Sequence, residues 1–136
     1  MDAELDESSV DDVNQCEDKI VYQSRAALHA SSREIVQHKL DELDEILNGF
    51  GLQTRLLVVE RANSLAVYFI CMTLSALTSL RDQWRCRQLR DIVQSLFTFL
   101  LQVARTVRIK RLLWPLRDYQ RCLEFFSFVD GKQALI

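Results

Sequence analysis

From Val10 to Ala30 the apolar positions Val13, Cys16, Ile20, Ala27 and Ala30 recur loosely at helical spacing and predict a first helix. Ser31 and Glu34 then form a capping box ahead of Ile35, in which the Ser hydroxyl satisfies an orphan backbone N–H and the Glu reaches back to the cap. A second helix follows on the stripe Val36, Leu40, Leu43 and Leu47, the spacing of a helix that packs on another helix. Its opposite face carries Asp41, Glu42, Asp44 and Glu45 and reads as solvated. Asn48-Gly49-Phe50-Gly51 supplies the stop, because Gly readily takes the left-handed conformation at a helix end.

A third helix is predicted over 52–80, ending in the uncharged stretch from Ala62 to Leu80 that Arg61 and Arg81 bracket. Ser79 and Asp82 open a fourth helix, with Leu89, Val93, Leu96, Leu100 and Val103 on one stripe. Strict alternation from Thr106 to Ile109 suggests a short extended connector. Pro115, the single proline, marks the start of a last helix on Leu116, Tyr119, Leu123 and Phe126, and Asp130-Gly131 ends it. The pattern predicts an all-α fold, an up-and-down bundle of four to five helices or a short helical array.

Composition supports that reading. A chain of 136 residues fits one domain, and an apolar content of 49% excludes wholesale disorder. Three Gly and one Pro are too few for the many tight turns of an all-β sandwich or barrel. Residues 1–9 are expected to be a disordered acidic leader and residues 10–136 a single helical domain.

Charge is segregated behind a net value of −2. The first eighteen residues hold eight acids and no base, whereas residues 51–121 hold twelve bases against four acids. The bases form two groups: Arg81, Arg85, Arg87 and Arg90 around Trp84, and Arg105, Arg108, Lys110 and Arg111 ahead of Trp114. Arginines interleaved with aromatic residues can hold phosphates and stack bases, so a nucleic-acid-binding helical domain is one alternative. A chain pI near 5.7 weighs against it.

Signatures of catalysis are missing. There is no Gly-rich phosphate loop, no His-Glu-x-x-His and no Gly-x-Ser-x-Gly. Cys16, Cys71, Cys86 and Cys122 form no Cys-x-x-Cys pair, and His29 and His38 are the only histidines, so no metal ligand set is expected. Cys86 lies between Arg85 and Arg87, which favours a thiolate, yet no base accompanies it in sequence. The expectation is no enzyme, no cofactor and no small-molecule substrate.

Localisation follows from the ends and the thiols. The acidic N-terminus has no apolar run of the secretory kind, and unpaired cysteines suit an intracellular, cytoplasmic or nuclear setting. The uncharged stretch 62–80 keeps a second alternative open, a small membrane protein with one span there. Ser64, Ser75 and Ser79 would give such a span a small-residue packing face.

The leading expectation is a non-enzymatic scaffold or adaptor that associates through apolar helix faces, with a protein partner or a second copy of itself. The candidate surface is the C-terminal run Leu123, Phe125, Phe126, Phe128 and Val129, which is apolar nearly all round.

Overall fold

The run Leu65–Cys71, LAVYFIC, is rich in β-branched and aromatic residues that pack well on a pleated surface, and it forms the longest-paired strand of a sheet. In the computed structural model the described residues are 1–6, 13–29, 37–51, 53–61, 64–101, 107–128 and 134–135. Along them run β1 (Asp2–Leu5), α1 (Val13–His29), α2 (Gln37–Asn48), β2 (Thr54–Arg61), β3 (Leu65–Cys71), α3 (Leu74–Arg85), α4 (Gln88–Leu101), β4 (Ile109–Leu113), α5 (Leu116–Phe128) and β5 (Ala134–Leu135).

The fold is therefore mixed α/β rather than all-α. Four strands stand in the order β2-β3-β1-β4, and the two-residue β5 pairs the far end of β3. Every pairing is antiparallel. Only β2 and β3 follow one another directly; the other sheet neighbours are separated by helices, so the sheet needs few tight turns and few Gly or Pro residues.

Two expectations fall with that correction. Asp2–Leu5, assigned to a disordered leader, is an inner strand with Ala3 and Leu5 buried; the rest of the expected leader, 7–9, lies outside the described residues. The stretch 62–80 is divided between β3 and α3, with Thr73 capping the helix through its hydroxyl on the Ala76 amide, so it is not one membrane-crossing helix. Among the described residues no helix is long and apolar enough to cross a membrane.

The remaining boundaries divide similarly. The helix predicted through Trp84 to Val103 breaks at Cys86 and Arg87 into α3 and α4, and Ser79 and Asp82 lie inside α3 instead of opening a helix. Gly51 takes a φ of +103° after α2, the conformation expected of it. The Pro115 carbonyl accepts from the Asp118 and Tyr119 amides, so the proline stands at the threshold of α5. The alternation ending at Ile109 continues as β4. Ser31, Glu34, Asp130 and Gly131 lie outside the described residues.

One face of the sheet is the core. Ala3, Leu5, Leu56, Val59, Leu65, Val67, Phe69, Ile109 and Leu112 form a single buried cluster with Ile20, Leu43, Leu77, Leu80 and the α4 stripe Leu89, Val93, Leu96, Phe97 and Leu100. Burying each Val, Leu, Ile or Phe side chain of this cluster contributes about 1.5–3 kcal/mol. Leu89, Val93, Leu96 and Leu100 fall on the stripe the periodicity predicts, Phe97 adds to it and Val103 lies outside the described residues; α4 covers the sheet as well as other helices.

Candidate functional site

Five of the eight basic residues singled out in the sequence, drawn from both groups, are brought to one place. The last residue of α3 is Arg85, the turn into α4 carries Arg87, the first turn of α4 carries Arg90, and β4 carries Lys110 and Arg111. With Trp84, Leu112 and Leu113 these five cations line a groove of about 540 Å³. A bulge in β4, where Lys110 is the extra residue between the partners of Glu4 and Leu5, explains its contribution: it brings Ile109 and Leu112 to the core side while Lys110, Arg111 and Leu113 stay exposed.

The groove wall is joined to the fold by aromatic and arginine contacts. The Trp84 indole N–H donates to the Leu112 carbonyl at 2.8 Å, tying α3 to the outer side of β4. Arg81 does not belong to the groove. It is buried, donates to the Trp114 carbonyl at 2.9 Å, and lies 4.2 Å from the Trp84 ring centroid, 5.0 Å from that of Trp114 and 4.8 Å from that of Tyr119. Burial, and after it the neighbouring Arg85 charge, lowers the Arg81 pKa from its ordinary value. Three electron-rich ring faces and a carbonyl compensate for that desolvation.

The other cations differ in how far they are engaged. Arg111 is bound to Glu4 across the β1–β4 pair, with Nη2 at 2.8 Å and Nε at 2.9 Å from the same carboxylate oxygen. Arg90 Nε stands 3.9 Å from Asp91 Oδ1 and is shielded from solvent without a hydrogen-bond acceptor. Arg85, Arg87 and Lys110 are exposed and have no ion-pair partner among the described residues. Arg87 also has a φ of +67°, rare for a residue with a Cβ. Its amide donates to the Trp84 carbonyl at 3.2 Å, closing the end of α3. Arg108 is exposed just before β4 but outside the groove lining, and Arg105 lies outside the described residues.

On α5, Leu123, Phe125 and Phe126 are half-buried against the core, and the rings of Phe125 and Phe126 meet edge to face with centroids 5.7 Å apart. Val129 and the side chain of Phe128 lie outside the described residues. Leu113, which lines the basic groove, is 42% exposed, and Leu116, the first residue of α5, is 54% exposed.

Guanidinium groups and an ammonium set around an apolar floor are suited to hold carboxylate or phosphate oxygens, the guanidiniums in bidentate fashion. Among the described residues no group of His, Cys, Asp and Glu could hold a metal ion. Cys71 and Cys122 are buried, and burial pushes the Cys71 thiol up to about 11, whereas Cys86 is exposed between two groove arginines. The arginines were visible in the sequence. Their convergence was not, because it depends on β4 being an edge strand beside α3 and α4. No protein-family model, curated protein or solved structure matches the chain.

Proposed function

We propose that this protein is a non-enzymatic interaction module that captures an acidic segment of a partner protein in the basic groove. The observation carrying this reading is the convergence of Arg85, Arg87, Arg90, Lys110 and Arg111 around the apolar floor of Trp84, Leu112 and Leu113. A partner segment with carboxylates for the rim and a leucine-like anchor for the floor matches both parts of that lining. The four free thiols support an intracellular setting.

A protein partner is favoured over nucleic acid by the aromatic rings. Base stacking needs open ring faces. Trp114 is buried, and Trp84 has Arg81 over its ring and its N–H committed to Leu112. Leu113, exposed beside the cations, also suits an amphipathic peptide better than a phosphodiester chain.

Fluorescence anisotropy with two probes tests the proposal: a labelled glutamate-rich peptide with leucine anchors, and a single-stranded oligonucleotide of equal net charge. The peptide is expected to bind more tightly, with an affinity that falls as salt rises. Replacing Arg87 and Lys110 together by Glu is expected to weaken it at least about tenfold. Tighter binding of the oligonucleotide, or a peptide affinity unchanged in that variant, would overturn the reading.

A further inference from the structure

The end of the sheet opposite the groove is the edge formed by β2. Strand β2 ends the strand order, and among the described residues no strand pairs with its outer side. Its sequence from Arg55 to Glu60 is Arg-Leu-Leu-Val-Val-Glu. A bulge between Leu56 and Val58 leaves Leu57 as the extra residue opposite β3. The two sides of the strand are consequently distributed about its middle in the same way from either end. Arg55, Leu57 and Glu60 are exposed, Val58 is half-buried, and Leu56 and Val59 face the core.

We propose that β2 is a self-pairing edge, through which two copies of this chain join antiparallel about a two-fold axis between Leu57 and Val58. That axis sets Arg55 of each copy opposite Glu60 of the other, Leu56 opposite Val59, and Leu57 opposite Val58. Each pair then joins residues on the same side of the sheet. The register gives two ion pairs, continues the buried row across the junction, and covers Leu57, which is 38% exposed in the single chain. Neither the Arg55 nor the Glu60 side chain has an ion-pair or hydrogen-bond partner among the described residues, so both are available. The bulges of the two copies meet at the axis, so neither displaces the other from register. Shifting the pairing by one residue would set core-facing positions opposite exposed ones, which selects this register over its neighbours.

The symmetry provides the test. Arg55→Glu sets Glu opposite Glu at both ends of the junction, and Glu60→Arg sets Arg opposite Arg. Each variant alone is expected to dimerise at least about tenfold more weakly than the unaltered chain by sedimentation velocity. Mixing the two variants restores opposite charges at both ends, and the mixture is expected to associate as the unaltered chain does. Both positions are exposed, and an unchanged circular dichroism spectrum verifies that each variant is folded. An unaltered chain that stays monomeric up to about 100 µM would overturn the proposal, allowing for an interface of modest area. So would single variants that dimerise as well as the unaltered chain, or a mixture that fails to associate.

Discussion

Arg81 and Arg87 show one side chain used in opposite ways. Arg81 is buried among Trp84, Trp114 and Tyr119 and links α3 to the residue that follows β4. Arg87 is exposed on the groove and occupies a left-handed backbone position that glycine would fill without strain. Arg87→Gly is therefore expected to raise stability by about 0.5–1 kcal/mol in urea unfolding while weakening capture of the glutamate–leucine peptide. Arg87→Ala provides the comparison: it removes the charge and keeps the Cβ, so binding should fall without that gain. Equal stability of the Gly and Ala variants would show that the backbone position carries no strain worth relieving.

At the level of elements, the short β1 separates the two accounts of the N-terminal residues most sharply. Ala3 is fully buried between β3 and β4, opposite Leu65 and Leu112. Ala3→Asp places an unpaired carboxylate there and is expected to cost about 3 kcal/mol or more in unfolding free energy. A disordered leader would tolerate the change at no measurable cost. Helix ends were legible in the sequence where a residue's own backbone chemistry decides them, as at Gly51 and Pro115. The split of 62–80 was not. Its serines at helical spacing concealed a seven-residue apolar run whose β-branched and aromatic content suits an inner strand. Alternation in β1 was hidden for a different reason. Asp2 and Glu4 read as part of an acidic tail, although they occupy the outward positions of a strand whose inward positions are Ala3 and Leu5.

On the scale of the molecule, the segregation of charge becomes a matter of placement. Glu4, from the acidic first residues, is bound to Arg111 across the β1–β4 pair, and Glu17 and Asp18 of α1 pair with Arg61 of β2. Part of the acidic segment thus neutralises the basic part within the fold, while Arg85, Arg87 and Lys110 remain exposed at the groove. The candidate site was legible as two separate lists of cations, and α5 stood out by its aromatic content. Only the sheet order unites the lists, and only packing shows that Leu123, Phe125 and Phe126 already lean on the core.

The most direct measurement is a backbone amide chemical-shift titration of the folded chain with the glutamate–leucine peptide. Capture in the groove predicts saturable shifts concentrated at residues 84–91 and 109–113, the two walls of the groove. Shifts confined to α5 around Leu123 and Phe126, with the groove amides unmoved, would contradict it.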